Sequence, residues 1–119
     1  MPDPRLGLLS DVTAATAGAR TPTGLARGLA AALARHLPIR GLSVGWTGPP
    51  TRAVEVRLRR GCWATEGTAR PRAGLRLDLG GETPGWIELE PAAAAPRDPE
   101  LQRALAAAVL PAHRACATL

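Results

Sequence analysis

Apolar residues recur with a helical period along the first third of the chain. Residues 5 to 17 carry leucine and valine at helical spacing, and Gly18 follows as a stop signal. The next segment begins at Thr21, a good N-cap residue, and proline fills the first helical position after it. Its apolar stripe consists of Leu25, Leu29, Ala32, Leu33 and Leu37. The pattern predicts either a hairpin of two helices or one helix broken near Gly18, and the second helical piece ends at Pro38.

After Pro38 the period of the pattern changes from 3.6 to 2. Four segments alternate apolar and polar positions, and they read LSVGW, RAVEVRLR, LRLDL and WIELE. Between the second and third, the residues from Ala64 to Gly74 are polar and irregular, which predicts a loop. Residues 80–85 predict the turn of a hairpin. One apolar and one charged face on each strand is typical of an antiparallel sheet that packs on helices by one side.

The charged face of the predicted sheet holds the first group of candidate interaction residues. These are Arg57, Arg59, Arg76, Trp86 and Glu88. Arg76 and Asp78 are expected across from Glu88 and Glu90, where a cross-strand pair of opposite charge contributes roughly 0.2–1 kcal/mol and favours the correct register. A tryptophan among such charges is either an anchor for a partner or a cover over neighbouring strands.

A last helix is predicted after Asp98, which can cap it. Its small-residue seam consists of Leu101, Leu105, Ala108, Ala112, Ala115 and Leu119. This seam packs either on the sheet or on a second copy of the chain, and Pro111 is expected to kink the helix. The whole chain, residues 1–119, is therefore predicted as one α+β domain: an antiparallel sheet of about four strands, with the N-terminal helices and the C-terminal helix on one face.

Composition changes this picture little. All 15 basic residues are arginine and the formal net charge is +5, but the arginines are spread along the chain. Their one cluster, Arg57, Arg59 and Arg60, has no interleaved aromatic residue to stack bases, so nucleic acid is not expected as a partner. No stretch has the length or pattern of a membrane span or signal peptide. We expect a protein of the bacterial cytoplasm.

Residues able to perform chemistry are few. Cys62 and Cys116 lie far apart without metal-ligand spacing, and neither His36 nor His113 has a nucleophile or paired acid nearby in sequence. We therefore expect no catalysis, no metal and no cofactor. An alternative gives Cys62, with the adjacent Trp63, a redox or ligand-binding role.

Three stretches together resemble the GAF domain, a sensory and regulatory module of bacterial kinases and transcription regulators. They read LLSDVTAATAGARTPTGLARGLAAALARHLPIRGLSVGW, LRLDLGGETPGWIELEP and RDPELQRALAAAVLPA. The resemblance implies the fold, and in ligand-binding members it implies a pocket on the far side of the sheet, roofed by segments between the middle strands. Here the corresponding residues 64–74 are too short to roof a cavity, and the sheet face is charged rather than apolar.

The leading hypothesis is thus a non-catalytic, GAF-like regulatory or adaptor domain in bacterial signalling or transcription control. It would act by docking a protein on the charged sheet, or by homodimerisation through a helical face that consists of Leu9, Val12, Leu101, Leu105, Ala108 and Ala112. Two alternatives stay open. One is a small-molecule sensor with a residual pocket lined by Trp63, Trp86 and Arg59, and the other is a thiol-based redox protein that uses Cys62.

Overall fold

A computed structural model of the chain describes residues 4–47, 52–68, 75–79, 84–90 and 98–117. Within those residues the chain forms three helices and five antiparallel strands. In chain order they are α1 (Pro4–Ala17), α2 (Pro22–Ala34), β1 (Gly41–Trp46), β2 (Arg52–Arg59), β3 (Cys62–Thr68), β4 (Leu75–Leu79), β5 (Gly85–Glu90) and α3 (Pro99–Ala117). The predicted α+β class is confirmed.

The second helix begins as predicted and ends earlier. The Thr21 side chain accepts a hydrogen bond from the Gly24 N–H at 3.0 Å, which caps a helix whose first residue is Pro22. The helix was predicted to end at Pro38, but α2 ends at Ala34. There the backbone tightens, because the N–H of His36 bonds to the carbonyl three residues earlier at 3.0 Å.

The strands form one sheet in the order β3-β2-β1-β5-β4. The four predicted strands are present, but the predicted loop is wrong over residues 64–68, which belong to β3 at the sheet edge; its remaining residues 69–74 lie outside the described chain. A two-residue turn joins β2 to β3, with positive φ at Arg60 (51°) and Gly61 (80°) and with Arg59 opposite Cys62. Two positive φ angles match the twist of a tight hairpin.

The core lies between the sheet and the helices. The strands contribute Leu42, Val44, Trp46, Val56, Leu77, Leu79, Ile87 and Leu89, all buried. Both α2 and α3 pack on the sheet, and α1 packs on α2 and α3. All three helices therefore belong to one apolar side of the sheet, and the opposite side carries the charged residues.

The buried stripe of α3 differs from the predicted seam. It consists of Leu105, Val109, Ala112, His113 and Cys116. Ala115 is exposed, Leu101 and Ala108 are half-buried, and Leu119 lies outside the described residues. The helix continues through Pro111 to Ala117. Because the stripe packs on the chain's own sheet and helices, most of the apolar surface of α3 is used within the domain.

None of the described helices combines the length and apolar character that a bilayer crossing requires.

Candidate interaction face of the sheet

The side of the sheet away from the helices, called here the outer sheet face, carries most of the candidate residues. Within the described chain its register positions are Gly41, Ser43, Gly45, Ala53, Glu55, Arg57, Arg59, Cys62, Ala64, Arg76, Asp78, Trp86, Glu88 and Glu90. The central strand β1 contributes only glycine and serine to this face. Side chains from the neighbouring strands β2 and β5 can therefore reach each other across β1.

An ion-pair network uses this opening. Arg57 on β2 donates from Nη2 to Glu90 Oε2 on β5 at 2.5 Å, and from Nε to Glu55 Oε1 at 3.0 Å. Gly41 lies between Arg57 and Glu90 in the register. The hydrogen bond and charge of Glu90, helped by Glu55, raise the pKa of Arg57 above its usual value. Glu55 is only 4% exposed, so this guanidinium compensates a nearly buried carboxylate.

The Trp86 ring packs over β1 at Gly45, the next glycine of this strand on the outer sheet face. A Cβ atom placed on Gly45 would be 2.1 Å from Cζ2 of the Trp86 ring, so the indole occupies the space that a side chain would fill. The residue is nevertheless only half-buried. Trp86 thus covers a neighbouring strand and also presents aromatic surface to the outside, which combines the two roles considered from the sequence.

The strand register places one of the two predicted cross-strand charge pairs as expected and contradicts the other. Arg76 lies opposite Glu88, as expected. Asp78 lies opposite Trp86 rather than Glu90, and Glu90 pairs with Arg57 two strands away. The prediction assumed that partners sit on adjacent strands, and the small residue at position 41 leaves room for the longer reach.

The residues proposed for a residual pocket lie on different sides of the sheet. Trp63 packs against the core, while Trp86 and Arg59 belong to the outer sheet face. Cys62 is exposed beside the β2–β3 turn, opposite Arg59. Trp63, Trp86 and Arg59 therefore do not line a common cavity.

Two shallow grooves lie instead among the helices. One, of about 250 Å³, is between α1 and α3, and the other, of about 380 Å³, is between α1 and α2. Both are lined mainly by alanine and other small residues.

The helical face proposed for dimerisation is largely internal. Val12 and Leu105 are fully buried, and Ala112 is 9% exposed. Leu9, Leu101 and Ala108 are half-buried against the same core. A second copy of the chain could not contact Val12 or Leu105 without opening the fold.

The two histidines have structural surroundings that sequence reasoning did not identify. His36 Nε2 lies 2.7 Å from Asp11 Oδ2 and links the end of α2 to α1. His113 is fully buried, and its ring stacks on Trp46 with centroids 4.7 Å apart. Its Nε2 lies 2.8 Å from the Gly45 carbonyl oxygen, which fits an Nε2–H donor.

Burial favours the neutral form of His113. Desolvation lowers its pKa, although the bond to Gly45 opposes the shift. Its Nδ1 is buried and has no hydrogen-bond partner in the described part of the chain. The Trp46 indole donates to the His113 carbonyl oxygen at 2.8 Å. His113 therefore acts as a neutral core residue that joins α3 to the sheet.

The remaining chemistry is limited. Cys62 and Cys116 are both free thiols; Cys62 is exposed and Cys116 is buried. Burial raises the pKa of Cys116. Among the described residues no group of three or more histidine, cysteine or carboxylate side chains is placed to hold a metal ion.

Comparison with known proteins adds no relative: no family model, no curated protein and no solved structure matches this chain.

Proposed function

We propose that this chain is a non-catalytic, GAF-like regulatory or adaptor domain that binds another protein on the outer sheet face. The proposal includes a place in bacterial signalling or transcription control. The order of elements that carried the GAF resemblance supports the family. A binding role is supported by the face itself, since the described helices pack on the opposite side of the sheet.

The observation that carries the proposal is the placement of Trp86. Its ring lies against the backbone of Gly45 and is held there without being buried. A rigid, half-exposed indole costs little conformational entropy when a partner covers it. Beside it, Glu88 and Asp78 offer polar groups at the rim, an arrangement common at interface hot spots.

The ion-pair network supports the same interpretation. Arg57 is engaged with two carboxylates and is only 19% exposed in its side chain, so it serves as a fixed part of the surface. A surface that is ordered before binding loses less freedom on association. Because Arg57 is neutralised in this way, the network also disfavours a phosphate-binding role for this arginine cluster.

The test places a photo-crosslinking amino acid at Glu88 or, as a control on α2, at the exposed Ala31. We expect one specific product from position 88 in the organism's own cells and none from position 31. The cross-linked protein is then identified, purified and titrated with the domain. A product between two copies of this chain would assign the face to homodimerisation.

Two glycine variants make the titration specific for the indole. Gly45→Ala must displace the Trp86 ring, whereas a Cβ at Gly41, on the same strand and face, comes no closer than 3.4 Å to another atom. We expect Gly45→Ala and Trp86→Ala to weaken binding about tenfold or more, and Gly41→Ala to leave it unchanged. Equal affinities for wild type and Trp86→Ala would refute the proposed face.

A further inference from the structure

A second surface lies at the turn end of the β2–β3 hairpin, on the side of the sheet that faces the helices. Leu58 and Trp63 are opposite each other there. The next row inward, Val56 with Thr65, is where α2 reaches the sheet: Val56 is fully buried, and Arg27 of α2 lies near Thr65. The Leu58–Trp63 row continues the apolar side of the sheet beyond this cover.

The apolar groups of this row are accessible. Leu58 is 42% exposed, one of two large apolar residues in the described chain that are exposed, and Trp63 is half-buried. We call Leu58 and Trp63 the hairpin ledge. An adjacent leucine and tryptophan on an open sheet surface form the apolar centre that protein interfaces use.

Among the side chains that the structure describes, the charges around the hairpin ledge have one sign. Arg27 of α2 donates from Nη2 to Thr65 Oγ1 at 3.4 Å, which holds it one row away, roughly 7 Å along the strand. Arg40 is next to Leu58, since its carbonyl accepts the Leu58 N–H at 2.9 Å. Arg60 lies in the turn that closes the hairpin.

The acidic side chains that the structure describes lie elsewhere. Asp11 is on α1, Glu55, Asp78, Glu88 and Glu90 are on the outer sheet face, and Asp98 and Glu100 are at the start of α3. An apolar pair bordered by three arginines is complementary to an acidic segment that carries apolar side chains. A second copy of this chain, with net charge +5, would bring further arginines to the same place.

We propose that the hairpin ledge is a docking site for an acidic, amphipathic segment of another protein. Branched aliphatic side chains of that segment contact Leu58 and Trp63, and its carboxylates pair with Arg27, Arg40 and Arg60. This site is on the opposite side of the sheet from Trp86, so it does not depend on the function proposed above. A domain with both sites could bridge two proteins, as an adaptor requires.

The probe is a short synthetic peptide of glutamate and leucine with leucines at helical spacing, labelled for fluorescence anisotropy. Matched peptides replace every glutamate with lysine, or every leucine with alanine. We expect the glutamate–leucine peptide to bind at least about tenfold more tightly than either control, and added salt to weaken it.

Variants of the protein locate the binding. Leu58→Thr keeps a strand-forming residue, and Arg27→Gln keeps a side chain of similar length without the charge. Each is expected to weaken binding about five- to tenfold. Leu6→Thr, which removes a leucine that is 66% exposed on α1, is the matched control and is expected to change nothing.

Three results would overturn the proposal: absence of binding by the glutamate–leucine peptide, equal binding of the lysine peptide, or undiminished binding by Leu58→Thr. Sedimentation without peptide is the complementary measurement. Self-association that Leu58→Thr abolishes would assign the ledge to a second copy and reject the acidic segment. Trp86→Ala is expected to bind the peptide normally. Failure of the hairpin-ledge proposal can therefore be distinguished from failure of the outer-face proposal.

Discussion

Gly85 begins β5 at the point where His113 reaches the sheet, so a methyl group at this position tests how α3 is held. A Cβ atom there would lie 2.1 Å from the Gly45 carbonyl oxygen and 2.3 Å from His113 Nε2. Non-bonded heavy atoms are comfortable at about 3.5–4.0 Å. Gly85→Ala must therefore displace the imidazole and break its 2.8 Å hydrogen bond to Gly45.

The expected cost has two contributions. Forcing an extra methyl group into a well-packed core typically costs about 1–3 kcal/mol. Leaving a buried hydrogen-bonding group without its partner costs about 1–3 kcal/mol more. We expect the free energy of unfolding to fall by about 4 kcal/mol, a large share of the roughly 5–15 kcal/mol of a typical domain. The melting temperature should fall by about 15 °C, at about 4 °C per kcal/mol.

Urea and thermal unfolding, followed by circular dichroism, measure both quantities. Gly18→Ala is the control, because a Cβ atom at Gly18 meets no atom within 4 Å, and it should change stability by less than about 0.5 kcal/mol. Adding His113→Ala to Gly85→Ala relieves the clash with the imidazole but not that with the Gly45 carbonyl. The double variant should therefore lose less stability than the sum of the losses of the two single variants. If Gly85→Ala unfolds within 0.5 kcal/mol of wild type, the described packing is wrong.

Three further expectations concern stability. Burial lowers the pKa of His113, so the unfolded chain binds the proton more readily than the folded chain, and the contribution of His113 to stability should be fully present above the ordinary pKa of 6.5 and decline as the pH falls below it. His113→Gln should remove that decline in urea titrations at several pH values. Arg57→Ala removes the guanidinium that pairs with the nearly buried Glu55 and should cost about 2–4 kcal/mol in thermal unfolding, at least twice the cost of Arg59→Ala; equal losses would contradict this. Thr21→Ala removes the cap of α2 and should cost about 1 kcal/mol, whereas Thr23→Ala should cost less than half as much by the same assay.

Alternating apolar residues predicted four strands because each of those strands contributes a row to the core. The fifth strand, β3, gave no such signal, since its residues 64–68 read ATEGT. As an edge strand it takes its hydrogen bonds from β2 alone and adds little to the core. The useful signal was Arg60–Gly61 between two strand-like runs, because glycine at the second turn position permits a two-residue hairpin.

Contacts that depend on glycine were not predictable from the pattern. The position of Trp86 on the charged face followed from alternation, but its packing over Gly45 did not. Likewise the pair between Arg57 and Glu90 crosses β1 at Gly41, where a small residue leaves room for it. In each case the decisive property is a small residue next to a residue remote in sequence, and such proximity is set by the tertiary fold.

The burial of α3 shows the same limit. Spacing of alanine and leucine predicted a seam through Ala108 and Ala115, whereas the buried stripe runs through Val109 and His113. A histidine is an unfavourable core residue unless a partner accepts its N–H. That partner is the carbonyl of Gly45, 68 positions earlier in the chain.

The strand order has a consequence for synthesis of the chain. The central strand β1 is made before the other strands described here, and one of its two neighbours, β5, is made last among them. A nascent chain that has emerged only through β3 therefore exposes one long edge of β1, with unpaired N–H and C=O groups beside Leu42 and Val44. Such an edge can pair with another chain. This edge of β1 is covered only after the residues up to Glu90 have emerged from the ribosome and β5 has paired with it.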